Sequence, residues 1–183
     1  IPRIGKTSLF PMYMSTKNGV IGFGDGDPHS LLSINELSYA AKKLKDKGYL
    51  NLRIYQIDEW EQPIRVEDLL FYTPDGYEKE TEWELDAYFD TTETLSFKGS
   101  WTDQFATYVS LHGGLNYVNH GQLDIGTFTL DALGERWFCD LGNDSYGFEG
   151  YHDRTVGGLR WNYYRCRAEG ANTLVINPGL GAD

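Results

Sequence analysis

From Trp83 onward the chain is a succession of short runs that alternate apolar and polar residues and stop at glycine turns. No other feature constrains its fold as tightly. Residues 85–89 and 94–98 are two such runs, and 106–111 ends at Gly113-Gly114. Residues 127–133 turn at Gly134-Glu135 into 136–140, and 172–176 reads as a last strand. Strands of this length, at this spacing and with turn residues between them, pack as an antiparallel sandwich or a barrel. The 13 Tyr, 5 Trp and 21 Gly point the same way, toward β structure with many turns. The aromatic residues fill a core or present flat rings to the apolar face of a sugar.

The first third reads differently. Residues 1–29 are rich in turns, with Gly22, Gly24 and Gly26 set among Asp25 and Asp27. Asp25, Asp27, His29 and Glu36 have something of a calcium-loop spacing. Ser30 stands where such a loop needs glycine, however, and Pro28 breaks its geometry. A helix start fits better. Ser33 and Glu36 form a capping box, and a helix is predicted over 34–47 with Leu37, Ala40, Ala41 and Leu44 on one face. Gly48 ends it, after Lys45 and Lys47 in its last turn. Residues 50–60 are ambiguous between a second short helix and something else. Residues 1–62 are therefore a helical N-terminal section too small to fold well alone, and 63–183 form the β domain, with 64–72 as a link.

The net charge of −11 excludes a nucleic-acid binder, whose footprint is basic. It also disfavours long-range attraction of an acidic polymer. Against it, Arg154, Arg160, Arg165 and Arg167 stand with only one acid, Glu169, in that stretch. Those arginines bind a carboxylate or sulfate, or they pair with the chain's excess Asp and Glu; the sequence leaves both open. Cys139 and Cys166 do not make a disulfide framework. No run of 18 apolar residues marks a membrane span, and the first residues lack the apolar stretch of a signal peptide. The last residues, 177–183, read as a loop entered in the middle of a domain.

Of the histidines His29, His112, His120 and His152, His120 is the strongest candidate for chemistry, because Asn119 and Gly121 place it on a tight turn among polar groups. The run Asn119-His120-Gly121-Gln122-Leu123-Asp124-Ile125-Gly126-Thr127-Phe128, with Asp131-Ala132-Leu133-Gly134 and Asp140-Leu141-Gly142 after it, resembles the core motif of the heparinase II/III-like polysaccharide lyases. A second block, Arg160-Trp161-Asn162-Tyr163-Tyr164-Arg165-Cys166-Arg167-Ala168-Glu169-Gly170 and then 172–178, resembles a nearly identical string of that family. The resemblance covers 66–183 and is vague before that.

The resemblance implies an antiparallel β-sandwich, mainly β, preceded by the end of an α/α toroid. It implies cleavage of uronic-acid-containing polysaccharides by β-elimination, in a bacterial enzyme that is periplasmic or secreted. That reaction needs the C5 carboxylate neutralised, a base for the C5 proton and an acid for the leaving oxygen at C4. The resemblance makes His120 catalytic and has Asn119 contact the substrate. Its tyrosine falls in 140–151, where Tyr151 fits best and Tyr146 second. Arg160, Arg165 and Arg167 are the candidate contacts to an acidic polysaccharide.

Some relatives hold a structural zinc with two histidines and an aspartate. Asp140 matches the aspartate, but Gln122 and Ala171 stand at the histidine positions, so no zinc or other cofactor is expected. A hydrogen bond from Gln122 to Asp140 would brace the loop instead. Residues 1–62 could supply only the last helices of the toroid, so the isolated chain is expected to be inactive. The alternative is a non-catalytic carbohydrate-binding relative that has lost the metal site, and a third is an interaction domain using the sheet edge.

Overall fold

The structure is a computed structural model that describes residues 2–27, 30 and 36–177, with side chains from Thr7 onward. The Ser33 capping residue, Pro28, His29 and residues 178–183 lie outside the described residues.

Five antiparallel strands form a meander: β3 (Asp86–Phe89), β4 (Thr94–Lys98), β5 (Tyr108–His112), β6 (Phe128–Ala132) and β7 (Glu135–Phe138). Before them come α1 (Pro2–Tyr13), the two-stranded hairpin β1 (Ser15–Thr16) and β2 (Gly19–Val20), and three helices, α2 (Glu36–Leu44), α3 (Lys47–Asp58) and α4 (Val66–Phe71). After the sheet, among the described residues, the backbone makes three short 3₁₀ turns, Leu159–Asn162, Tyr164–Cys166 and Ala168–Gly170. The antiparallel, mainly β architecture expected from the alternating runs is what the chain adopts. No helix among the described residues is long and apolar enough to cross a membrane.

The two faces of the sheet reverse the usual rule. Register places Thr94, Ser96, Lys98, Tyr108, Ser110, Thr129 and Asp131 on one face, and all of these are buried. This hydroxyl-rich face lies on the end of α1 and the β1–β2 hairpin, which is the second β layer among the described residues. Its polar groups are matched: Ser96 Oγ and Tyr108 Oη donate to the Tyr13 carbonyl at 3.0 and 2.9 Å, and Lys98 Nζ donates to the Ser15 carbonyl at 2.8 Å. Buried hydroxyls are tolerable only with such partners. Burial pushes the Lys98 ammonium down to about 7, against the pull of the Asp131 charge. The opposite face carries Tyr88, Leu95, Phe97, Val109, Leu111, Phe128, Leu130 and Phe138 and is only partly covered.

The helices pack around Met12, Leu37, Ala40, Ala41, Tyr49, Leu50 and Leu52. Residues 1–29, read as turns, contain α1. The predicted helix over 34–47 stops at Leu44, and Gly48 does not end it: Lys45 takes φ +51, and Asp46 caps a new helix, α3. Gly48 lies inside α3 because a Cβ there would collide with the Thr81 carbonyl oxygen. The ambiguous stretch 50–60 belongs to α3. Its Arg53 and the Asp68 of α4 make a buried ion pair, Nη2–Oδ2 2.6 Å and Nε–Oδ1 2.8 Å, and Ser38 Oγ of α2 donates to the same carboxylate at 2.6 Å. Burial opposes this charge, but the bonds from Arg53, Ser38 and the Arg65 N–H outweigh it and hold Asp68 at about 2.

The predicted last strand over 172–176 does not form. Asn172 is pinned by its side chain instead, Nδ2 donating to the carbonyls of Phe128 (3.2 Å) and Cys139 (2.9 Å). Leu174 and Ile176 beyond it are exposed. Cys139 and Cys166 are free thiols.

Candidate active site

Three segments far apart in sequence meet at one end of the sheet. The first is the glycine-rich loop after β2. Its tight approach explains a glycine: Gly24 has φ +62, and a Cβ there would lie 2.5 Å from the His120 carbonyl oxygen. The loop docks through its backbone, Asp25 N–H donating to the His120 carbonyl at 2.9 Å and Gly24 N–H to Asp124 Oδ2 at 2.9 Å. Phe23 stacks on His112, ring centroids 4.9 Å apart. Gly24→Ala is therefore expected to destabilise the fold by about 1–3 kcal/mol, since the left-handed backbone and the contact both resist a side chain. Chemical denaturation of the variant measures it.

The second segment is the turn between β5 and β6. His120 takes φ +61, a conformation rare outside glycine, and Gly121 N–H closes the turn on the Val118 carbonyl at 3.0 Å. The turn holds Asn119 and His120 outward. The His120 side chain is 59% exposed, whereas Gln122, Leu123 and Asp124 just after it are buried. A strained, exposed histidine on a rigid support is a recurrent property of catalytic residues.

The third segment is the loop after β7. Tyr146 is exposed, and its Oη lies 3.2 Å from His120 Nδ1. Tyr151 is 1% exposed, and its hydroxyl is spent internally: it donates to Asp25 Oδ1 at 3.1 Å and accepts the Asp144 N–H at 3.1 Å. Burial above all raises the Tyr151 hydroxyl far out of its ordinary range, and its contact with Cys166 adds to this. The structure thus brings His120, Asn119 and Tyr146 together at the surface and places Tyr151 beneath them.

Asp25 joins the three segments, and the sequence reading gave it no part in the site. Its Oδ1 accepts from Arg160 Nη2 (2.8 Å), Gln122 Nε2 (3.0 Å) and Tyr151, while Oδ2 lies 3.5 Å from His120 Nδ1. Burial works to raise this carboxyl, but the bonds from Gln122 and Arg160 prevail and hold it below its usual range. The signal that could have found it is local. A carboxylate flanked on both sides by glycine, in a run with glycine at alternate positions, marks a place where backbone approaches backbone closely.

Arg154, Arg160, Arg165 and Arg167 are each engaged within the protein. Arg160 is fully buried, bonded to Asp25, to the Gly121 carbonyl (3.1 Å) and to the Tyr151 carbonyl (3.0 Å). Arg165 donates to the carbonyls of Leu141 (2.7 Å) and Asn143 (3.2 Å) and faces Asp144. Arg167 pairs with Glu169, and Arg154 donates to the Val118 carbonyl at 3.1 Å.

A zinc ion does not fit the residues present. Asp140 Oδ1 accepts the Gly142 N–H at 2.7 Å, Gln122 turns its NH₂ group toward Asp25 and the Gly142 carbonyl (3.0 Å), and Ala171 has no donor atom. Among the described residues no three His, Cys, Asp or Glu side chains stand close enough to hold a metal. Gln122 braces the loop, as expected, but through Gly142 and Asp25 rather than through Asp140. Burial, then the charges of Asp124 and Asp25, push the Asp140 carboxyl up to about 7.

No protein-family model matches the chain, and no curated protein does. Solved structures do. One described as "Heparinase III-BT4657 gene product" aligns over 94% of this chain with a TM-score of 0.56 and 17% identity. A second, a crystal structure of heparinase III, aligns over 99% with a TM-score of 0.55 and 20% identity. This chain spans only 23% and 27% of their lengths. At such identities the comparison speaks to the fold, and on that level the resemblance drawn from the Asn119-His120-Gly121 run holds: the chain has the fold of a segment about a quarter the length of heparinase III.

Proposed function

We propose that this chain is the histidine-bearing part of a lyase that cleaves uronic-acid-containing polysaccharides by β-elimination, in the periplasm or outside the cell. The observation that carries the reading is the exposed pair His120 and Tyr146, 3.2 Å apart, on a heparinase III fold. In this reading the outward ring nitrogen of His120, Nε2, takes the C5 proton. Asn119, on the same turn, hydrogen-bonds the uronate carboxylate and so stabilises the enolate-like transition state. Tyr146 protonates the leaving oxygen at C4, and Tyr151 supports the loop from below.

The two tyrosines give a direct test. In the full-length protein, Tyr146→Phe is expected to lower turnover about 10²-fold with stability unchanged. Tyr151→Phe is expected to destabilise the fold by about 1–3 kcal/mol, because it removes a bond to a buried carboxylate. Ultraviolet absorbance of the unsaturated uronate, with heparan sulfate, hyaluronan and alginate as substrates, reads the first; chemical denaturation reads the second. Loss of turnover in Tyr151→Phe with Tyr146→Phe unaffected would reverse the roles. The isolated chain is expected to give no such signal, since the far wall of the cleft lies in the rest of a heparinase-like enzyme.

One observation favours a second reading, a non-catalytic carbohydrate-binding relative that has lost the metal site: Gln122 spends its amide on Asp25 and Gly142, and Ala171 has no donor atom. A full-length protein of that kind would retain uronate oligosaccharides on a column and form no unsaturated product.

A further inference from the structure

Asp25 grips His120 at both ends. Its N–H holds the His120 carbonyl at 2.9 Å, and its Oδ2 faces the ring nitrogen Nδ1 at 3.5 Å. The carboxylate has little freedom to turn away. Its side chain is 2% exposed, and Arg160, Gln122 and Tyr151 all donate to the other oxygen, Oδ1, at 2.8, 3.0 and 3.1 Å. A neutral imidazole has two tautomers. With the proton on Nε2, a bare lone pair on Nδ1 would face an anionic oxygen, which is repulsive. With the proton on Nδ1, an N–H faces that oxygen, which is attractive.

We propose that Asp25 is a positioning residue that fixes His120 as the Nδ1–H tautomer and so leaves the Nε2 lone pair outward as the base. The consequence reaches Tyr146, whose Oη lies 3.2 Å from the same Nδ1. With Nδ1 as donor, the tyrosine oxygen accepts, and its own proton is left to the Asp25 carboxylate beside it rather than spent on the imidazole. With the other tautomer, Nε2 carries the proton and the outward base is lost, while the Tyr146 hydroxyl is drawn to the bare Nδ1 as well as to Asp25. One carboxylate thus assigns two roles. The kinetic side of this inference rests on the proposed lyase reading; the tautomer itself does not.

The substitution Asp25→Asn tests it with little change of shape. Three donors already converge on the position of Oδ1, so the introduced amide must place its oxygen there. Its NH₂ group then faces His120 Nδ1, which must become the acceptor. The measurement is a long-range ¹H–¹⁵N spectrum of the ¹⁵N-labelled chain, at a pH where the ring is neutral, which distinguishes protonated from bare ring nitrogens. The expected result is Nδ1–H in the wild type and Nε2–H in Asp25→Asn. In the full-length protein the same substitution should lower kcat roughly 10–100-fold with KM little changed.

An Nε2–H ring in the wild type would overturn the proposal, and that spectrum decides the matter even if the variant does not fold. An unchanged tautomer in a folded variant would also overturn it, whatever the turnover. A swapped tautomer with unchanged turnover would confirm the hold of Asp25 on His120 and remove His120 from the chemistry.

Discussion

Replacing His120 by alanine in the full-length protein is expected to lower turnover on a uronate polysaccharide by roughly 10²–10⁴-fold, the usual contribution of a positioned general base. Stability should change by less than about 1 kcal/mol, as for other exposed positions, because the side chain is 59% exposed and meets Tyr146 and Asp25 at its inner edge. The backbone could confuse this result, since His120 has φ +61 and alanine tolerates that poorly. His120→Asn removes the ambiguity: asparagine adopts the left-handed conformation readily and supplies no base. Both variants should lose turnover alike. Initial rates together with thermal melts measure it, and turnover retained by a well-folded His120→Asn would remove His120 from the mechanism.

What the sequence conveyed about the site follows from distance along the chain. Asn119, His120 and Gly121 are contiguous, so a tight turn carrying a polar pair was legible. Asp25 is on a different element and reaches His120 only through folding. Its neighbours looked like a broken calcium loop because glycine and aspartate serve both purposes. Tyr146 and Tyr151 share one loop, and which of them is buried depends on how that loop lies over Asp25 and Arg160. No local pattern encodes that. The arginines were left open between substrate and internal carboxylates, and the fold engages each with protein groups.

The fold was legible where periodicity carries it and obscure where polar groups are buried. In residues 94–98, the alternation Thr-Leu-Ser-Phe-Lys announced a strand. It did not reveal that Thr, Ser and Lys face inward, because that depends on carbonyls of residues 13 and 15 being in reach. Residues 47–58 gave no helical stripe for the same reason: Arg53 and Gln56 are among the buried residues of α3, and Arg53 is buried only because Asp68 meets it. The supposed strand 172–176 had the right residue types. Asn172 uses its amide to hold Phe128 and Cys139, so the segment joins the sheet by a side chain and leaves the ladder.

Asp140 makes the second large prediction, and its sign is opposite to that of an ordinary paired carboxylate. Its carboxyl is at about 7 in the folded protein against 3.8 in an exposed chain, because it is buried and lies near the charges of Asp124 and Asp25. The Gly142 N–H and the Arg165 charge oppose this shift without cancelling it. The folded state therefore keeps a proton that the unfolded state has lost. Stability from this group is fully present below about pH 4, falls as pH rises through about 7, and is lost above that. The full difference is on the order of 4 kcal/mol. Asp140→Asn keeps an oxygen to accept the Gly142 N–H and cannot ionise. It should match the wild type at pH 4 and exceed it in stability at pH 8 by about 2–4 kcal/mol, which urea denaturation at the two pH values measures. A variant weaker than the wild type at pH 8 would mean that the ionised carboxylate is what the loop requires, with Arg165 rather than the two neighbouring aspartates setting its charge.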